Sequence, residues 1–324
     1  MRTAEFRQTE LKRNNMVRNF TRSWALIKYS LWVLNKDREF LVFPILSLLS
    51  AAGIIVIAYA GFIPAVAFSN FIAELTSGEL GFFLGSLFII AYGFSAYVVM
   101  TFGIIFFNAA LTGAVLIRLE GRNPTLMDGL NVAGRHIGQI FKWAIMMGTV
   151  GFILHVIYRT GWLGRILFHI LNIGWGLLTF FAIPLLVTRD NLGPFDAVRE
   201  SGNIIKKTFG ESVVGDAGVA VCFLLPYLVI GLTISEVTIM YLGQDPWLPT
   251  SWILYPLQEN YLSETYLVLM LLLLFTFVFH STLFSIFRAC LYQFTIDKSA
   301  NETAVAYGGD PNMSALFAGS FREK

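Results

Sequence analysis

The sequence predicts an all-α fold, a polytopic transmembrane helical bundle with six spans, and three observations carry that prediction. Hydrophobic residues make up 56% of the 324 residues and charged residues only 14%, whereas soluble domains are about a quarter charged. Six apolar runs are each long enough to form a helix across a bilayer core of about 30 Å. The basic residues cluster in alternate connecting segments, which is typical of inserted membrane proteins.

The apolar runs are separated by short polar segments. They are Leu41–Phe68, Leu80–Ile117, Phe141–Tyr158, Ile166–Thr188, Ser212–Ile234 and Thr265–Phe287. The second run contains no charged residue and, at about 1.5 Å per helical residue, is too long for one perpendicular span. It forms either one long tilted helix or two short spans joined by a turn near Thr101–Gly103.

The lysine and arginine residues favour a single second span. With six spans, one side of the membrane carries 21 of them and the other side carries only Arg159 and Arg165. Two spans in the second run would make the counts roughly even. Residues 1–19 contain no apolar stretch long enough for a signal peptide, so the first span is expected to be an uncleaved anchor. We therefore predict a multi-pass protein of the cell (inner or plasma) membrane with both termini in the cytoplasm.

Three short segments resemble one another, and each precedes a pair of spans. "SWALIKYSLW" from Ser23 resembles "SGNIIKKTFG" from Ser201, and "AGRHIGQIFK" from Ala133 matches more loosely. The chain is therefore interpreted as three repeats of a cytoplasmic amphipathic helix, here called a lead-in helix, plus a transmembrane hairpin. The repeats are 20–118, 122–189 and 192–290 within a six-span membrane domain, 20–290. Residues 1–19 form a cytoplasmic N-terminal segment and 291–324 a flexible cytoplasmic tail.

The first lead-in helix has the pattern of a helix that lies on a lipid surface. Apolar residues recur at spacings of three and four, and the opposite side carries Arg22, Tyr29 and Lys36. Such a helix rests at the headgroup layer with its bases toward anionic lipid, or it packs on the ends of the spans, and the two are compatible. The candidate lipid-surface contacts are Arg22, Trp24, Lys28, Lys36, Lys206 and Lys207. The expected partners are anionic membrane lipids, with a membrane-protein partner or a second copy of the chain as further candidates.

Few ionisable side chains lie inside the spans, and these, with the asparagines near them, are candidate sites because burying them in lipid is costly. They are Asn108, His155, His169, Asn172 and His280. We expect His155 and His169 to lie at similar depth, where they either form interfacial hydrogen bonds or pair as a proton or metal site. For Asn108 and His280, the alternatives are hydrogen bonds between helices and a polar path through the bundle.

The sequence contains no motif of a known catalytic centre. It lacks HExxH, GxSxG, a P-loop and a Gly-rich dinucleotide turn, and it shows no cluster of carboxylates or of metal-binding residues. Its bases are spread over lipid-proximal segments and form no compact basic domain. We therefore expect no enzymatic activity, no catalytic residue, no cofactor, no bound metal and no nucleic-acid partner.

The N-terminal "RSWALIKYSLWVLNKDREFLVFPILS" resembles the start of an uncharacterised family of prokaryotic integral membrane proteins. The segment "GPFDAVRESGNIIKKTFG" is similar to a helix found in a broader group of six-span proteins. That group includes the membrane domain attached to some glycerophosphodiester phosphodiesterases. The resemblance implies a six-span fold. The activity of those enzymes is not carried over to this chain, because it shows no phosphodiesterase domain.

Two functions are compatible with these features. The first is a non-enzymatic integral membrane protein that organises lipid or serves as a scaffold in a membrane complex. The second is a transporter or channel for a lipid-like or small amphiphilic solute, with a cavity lined by Asn108, His169, Asn172 and His280. The scarcity of charge inside the spans favours the first.

Overall fold

The computed structural model describes residues 24–76, 78–241 and 259–300, with side chains for 24–76, 78–206, 218–235, 237–238 and 264–296. The regular elements in these residues are helical, which confirms the all-α prediction. A 3-10 turn, Arg38–Leu41, precedes the long helices. The α-helices are α1 (24–36), α2 (Val42–Thr76), α3 (Gly78–Leu119), α4 (Leu126–Arg135), α5 (Ile137–Tyr158), α6 (Trp162–Leu178), α7 (Ala182–Thr188), α8 (Pro194–Tyr241) and α9 (Glu259–Ala300).

Among the described residues, six segments are long and apolar enough to cross a membrane, as the hydropathy pattern predicts. They are Arg38–Thr76, Gly78–Leu119, Ile137–Tyr158, Trp162–Thr188, Gly218–Ser235 and Glu264–Ile296. Each of them overlaps one of the six apolar runs of the sequence, so the predicted number of candidate spans is confirmed.

The second apolar run forms one helix. Helix α3 continues for 42 residues, about 63 Å at 1.5 Å per residue, and passes through Thr101–Gly103 without a turn. This segment has no proline, and Gly103 is covered by the Ser50 side chain of α2. The alternative of two short spans is therefore wrong, because nothing in the segment interrupts the backbone hydrogen bonds of the helix.

Helices α2 and α3 form a close antiparallel hairpin. A Cβ atom on Gly81 would lie 2.3 Å from the carbonyl oxygen of Ala73, and one on Gly85 would lie 2.8 Å from that of Ser69. The Ser69 hydroxyl donates a hydrogen bond of 2.8 Å to the Gly85 carbonyl. The GxxxG spacing of the two glycines predicts such close packing within the bundle, and this prediction is confirmed.

The chain divides into two compact units. Of the described residues, the first unit contains 24–34, 210–241 and 259–287, and the second contains 35–76, 78–209 and 288–300. In the second unit α3 packs against α2, α4, α5 and α7. The core around the second half of α3 is apolar and fully buried; it includes Leu111, Ala114, Ile140, Phe181 and Leu185.

Polar contacts within the second unit hold helix ends in place. The backbone N–H of Phe181, between α6 and α7, donates to the hydroxyl of Ser201 on α8 at 3.0 Å. The hydroxyls of Thr188 at the end of α7 and Tyr292 on α9 are hydrogen-bonded at 2.8 Å. These contacts satisfy polar groups that would otherwise be buried without a partner.

The buried side of α1 differs from the predicted apolar stripe. Tyr29, predicted on the polar side, is buried, whereas Leu31, predicted in the stripe, is exposed. The buried side is rotated toward Leu26, Ser30 and Val33. The tyrosine can be buried because its ring stacks on Trp32 at 5.4 Å, and Ser30 can be buried because its hydroxyl donates to the carbonyl of Leu26. Of the described residues in the predicted stripe, Ile27 and Leu34 are buried as expected, whereas Trp24 and Leu31 are exposed. Tyr29 was placed on the polar side because residue spacing alone does not show how its ring packs.

The three predicted lead-in helices differ in how they join the spans. Helix α1 is separated from α2 by the 3-10 turn, and α4 is separated from α5 by His136. The third is continuous with its span, because α8 begins at Pro194 and runs for 48 residues. The three-repeat interpretation therefore stays a prediction, with its third copy fused to the following helix.

Helix α4 begins with a capping box. The hydroxyl of Thr125 accepts a hydrogen bond from the N–H of Asp128 at 3.2 Å, and the N–H of Thr125 donates to the Asp128 carboxylate at 2.8 Å. The pKa of Asp128 is lowered, first by this backbone N–H, then by the Thr125 hydroxyl, and less by the charge of Arg122. The reciprocal bonds satisfy donors at the start of the helix.

Acid is expected to loosen the first turn of α4. The pKa of Asp128 is lower in the folded protein than in the unfolded chain. The stabilisation that its carboxylate gives to the folded state is therefore complete above the unfolded pKa and is lost as pH falls through the folded pKa. We expect amide hydrogen exchange in residues 126–135, corrected for the intrinsic rate, to rise below about pH 4. Asp128→Asn should exchange faster at neutral pH and lose this pH dependence. The prediction fails if wild type and variant show the same dependence.

Candidate functional site

The exposed side of α1 combines a tryptophan, a base and an aliphatic side chain. Trp24, Lys28 and Leu31 are exposed and follow one another at helical spacing. The Lys28 ammonium lies 5.6 Å from the centre of the Trp24 ring, within the range of a cation–π contact. Lys36, one of the predicted lipid contacts, is also exposed. Arg22 lies outside the described residues.

The start of α8 exposes a similar combination. Phe195 is exposed in the first turn, and Arg199 and Lys206 are exposed further along the helix. The other side of this segment is buried and includes Ala197 and Ser201. Lys207 lies in helix α8, but its side chain is outside the described residues.

Helix α4 exposes Met127 and, two turns later, Arg135. Beside it, a cavity of about 440 Å³ lies between the ends of α3, α4 and α7. Its charged lining consists of Glu120, Arg122, Asp128 and Arg135, two acids and two bases. Arg122 is paired with Glu120 at 2.5 Å. The lining is balanced in charge, so it favours neither an anion nor a cation.

A larger cavity of about 640 Å³ lies between α3, α5 and α6 of the second unit. Its wall is mostly aromatic and aliphatic, and it includes two of the predicted polar residues, His155 and Asn172. The lining residues are Ile90, Gly93, Phe94, Tyr97, Gly151, Phe152, Leu154, His155, Phe168 and Asn172. This volume falls in the range of about 300–1,000 Å³ usual for small-molecule sites.

Ring contacts set the shape of this cavity. Phe94 on α3 meets Phe152 on α5 with ring centroids 6.0 Å apart, and Tyr158 on α5 meets Phe168 on α6 at 5.3 Å. The contact between Tyr158 and Phe168 places the end of α5 beside the first half of α6, near the turn that connects them. His155, three residues before Tyr158, and Asn172, four residues after Phe168, consequently reach the same cavity.

The other predicted polar residues lie elsewhere. His169 is exposed on α6 and does not line the cavity, and Asn108 is more than two turns along α3 from Tyr97. His280 belongs to the first unit, where its ring packs against Phe223 with centroids 4.6 Å apart and its Nδ1 lies 3.3 Å from the Tyr227 hydroxyl. In the part of the chain that the structure describes, no three His, Cys, Asp or Glu side chains come together as a potential metal site.

A buried ion pair in the second unit was missed by sequence reasoning. The guanidinium of Arg118, at the end of α3, donates two hydrogen bonds to the carboxylate of Asp37 and one of 2.5 Å to the amide oxygen of Asn123. The side chains of Arg118 and Asp37 are only 8% and 6% exposed. The two residues are 81 positions apart, and no local spacing relates them.

Comparison with known protein families gives a match to a family whose function is unknown. A family model described as "Family of unknown function (DUF6159)" matches residues 86–302, about two thirds of the chain. No curated protein and no solved structure matches the chain. The matched region begins within α3 and includes α4, the cavity residues and the start of α8. It does not include α1 or Asp37.

Proposed function

The chain belongs to this family of unknown function (DUF6159), and from that premise we propose that it is a non-enzymatic membrane protein that organises anionic lipid through its three lead-in helices. The membrane setting is supported by the six apolar helices. The lipid role is supported by one observation, the composition of the exposed sides of α1, α4 and the start of α8.

Each of these three segments exposes a large apolar side chain and, one or two turns later, a base. Trp24, Met127 and Phe195 are 45%, 61% and 80% exposed. Lys28, Arg135 and Arg199 follow at four or eight residues and are exposed as well. A helix with this surface is stable at a headgroup layer, because the apolar group enters the acyl region while the base stays near lipid phosphates. The same combination in three separate segments favours a shared role.

The orientation follows from charge. Because 21 of the 23 lysines and arginines fall on the side of the lead-in helices in a six-span arrangement, we propose that both termini are cytoplasmic, in the cell (inner or plasma) membrane. The cytoplasmic leaflet carries anionic lipid, so the bases would meet their natural counter-charges. The relation to the membrane domain attached to some glycerophosphodiester phosphodiesterases remains a prediction from residues 193–210.

The second candidate function is a transporter or channel for a small amphiphilic solute. The cavity between α3, α5 and α6 is the observation that bears on it. Its predominantly aromatic and aliphatic wall suits an acyl chain better than a hydrated solute, and it brings together only two of the predicted polar residues. This composition favours lipid binding over a polar path. A scaffold role for a protein partner is compatible with the lipid role.

Lipid selectivity tests the proposed function. The protein is reconstituted in vesicles of phosphatidylcholine and phosphatidylglycerol, and electron paramagnetic resonance measures its preference for spin-labelled phosphatidylglycerol. Each base near the surface is worth about 1 kcal/mol, about fivefold in association, at low salt. Lys28→Gln combined with Arg199→Gln should therefore lower the preference several-fold, and high salt should reduce the difference.

The control removes the same charge elsewhere. Arg122→Gln with Arg189→Gln also deletes two bases, but each of these bases is paired with a glutamate, Glu120 and Glu200 respectively. We expect little change in lipid preference from the control. Equal losses in the two double variants would show that only net charge matters, and an unchanged preference in the first would contradict the proposal.

A further inference from the structure

The cavity between α3, α5 and α6 has an apolar wall, and part of its space exists because Gly93 has no side chain. A Cβ atom on Gly93 would meet no atom within 4 Å, so this glycine borders open space. Gly151 on α5 packs against Tyr97 on α3, since a Cβ atom on this glycine would lie 2.7 Å from the Tyr97 hydroxyl oxygen. A flexible hydrocarbon chain suits such a wall, because it fills irregular apolar space without needing hydrogen-bond partners.

Three hydrogen-bonding side chains interrupt this apolar wall. Tyr97, His155 and Asn172 line the cavity. Within the part of the chain that the structure describes, none of these side chains is hydrogen-bonded to another protein group. All three side chains are exposed on the surface of the protein, so the surrounding bilayer would cover them. Polar groups without partners are costly in hydrocarbon. A ligand with a polar head next to an apolar body would satisfy them and fill the cavity at once.

The charged residues near the cavity indicate whether an anionic or a cationic head group would be favoured. His155 is one turn from the end of α5, and the turn that follows carries Arg159 and, at the start of α6, Arg165. The Arg165 guanidinium lies 5.9 Å from the ring of Tyr158. No aspartate or glutamate occurs from Gly129 to Arg189, so α5, α6 and their turn contain only positive charge. The acids nearest to the cavity on the α3 side are Glu74 and Glu79, at least eleven residues before the first lining residue, Ile90. The α5 and α6 side of the cavity therefore favours an anion.

From these observations we propose that the cavity binds one anionic phospholipid of the surrounding bilayer. One acyl chain lies along Gly93, Phe94 and Phe152, and the head group accepts hydrogen bonds from His155 and Asn172 and is attracted by Arg159 and Arg165. The cavity volume of about 640 Å³ holds one chain, and the second chain stays in the bilayer. The site is independent of the lead-in helices, since it uses none of their residues.

Photocrosslinking of the full-length protein in vesicles tests this site. The probe is phosphatidylglycerol with a diazirine on one acyl chain, and mass spectrometry locates the crosslinks. We expect labelling of residues 90–97 and 151–155. Gly93→Leu should fill the cavity and reduce this labelling to the level found on the exposed side of α2 around residues 55–57. Gly174→Leu is the matched control, because this glycine also borders open space but does not line the cavity.

Head-group selectivity provides a second measurement, which does not depend on filling the cavity. Labelling by the phosphatidylglycerol probe should exceed labelling by the matching phosphatidylcholine probe. Arg159→Gln with Arg165→Gln should reduce that ratio several-fold, because these bases attract the net negative charge that only phosphatidylglycerol carries. His155→Leu with Asn172→Leu should instead reduce labelling by both probes, because both head groups contain a phosphate that accepts hydrogen bonds. The proposal is overturned if Gly93→Leu is labelled like wild type, if the two phospholipids label equally, or if a free fatty-acid probe labels the cavity more strongly than phosphatidylglycerol.

Discussion

Replacing Arg118 with methionine is expected to lower the free energy of unfolding by about 3–5 kcal/mol. The change removes the partner of a carboxylate, that of Asp37, which is 6% exposed and accepts two hydrogen bonds from the guanidinium. A buried carboxylate without a partner keeps the cost of desolvation and loses the attraction that offset it. The pair also links the turn before α2 to the end of α3, so its loss should open this end of the hairpin. The measurement is reversible unfolding in mixed micelles, followed by circular dichroism.

Two further variants separate the buried pair from a general effect of charge. Arg122, four residues after Arg118, forms an exposed ion pair with Glu120, and Arg122→Met should cost less than about 1 kcal/mol. Asp37→Leu combined with Arg118→Met should recover most of the loss, because replacing both partners of a buried pair is often close to neutral. The prediction is contradicted if Arg118→Met costs no more than Arg122→Met, or if the double variant is as unstable as the sum of its single changes.

Gly129→Ala is expected to destabilise the protein by about 1–3 kcal/mol. The added Cβ would lie 2.6 Å from the carbonyl oxygen of Ala110, 2.8 Å from Cζ of Phe43 and 3.1 Å from Cβ of Ala114. The first of these is backbone, and Phe43 is buried in the core, so neither neighbour can move freely. The methyl group would push α4 away from α3. The thermal midpoint of unfolding in detergent should fall.

Gly134→Ala provides a control in the same helix. A Cβ at this position meets no atom within 4 Å, so the change should be neutral or stabilise the protein by about 0.4–1 kcal/mol through the unfolded chain. Helix propensity favours alanine at both positions, and only packing distinguishes them. Midpoints that shift in the same direction in the two variants would refute the close packing of α4 on α3.

The sequence predicted local properties of this protein well. Each of the six apolar runs overlaps a helical segment that is long and apolar enough to cross a membrane. Gly81 and Gly85 lie at a close helix contact. Each of these features depends on residues within a few turns of one another, because helix formation, capping and membrane-scale hydropathy are local. Even here the exposed side of α1 was misjudged, since burial of Tyr29 depends on its packing.

Pairing over long distances in the chain was decided only by the tertiary structure. The sequence suggested five intramembrane polar residues, but only the packing of α3, α5 and α6 shows that His155 and Asn172 line one cavity and that Asn108 and His169 do not. Likewise, Asp37 and Arg118 become partners because the α2–α3 hairpin returns the chain to its starting level after 81 residues. Hydropathy determines which segments leave water, whereas side-chain packing between distant segments determines which polar groups meet.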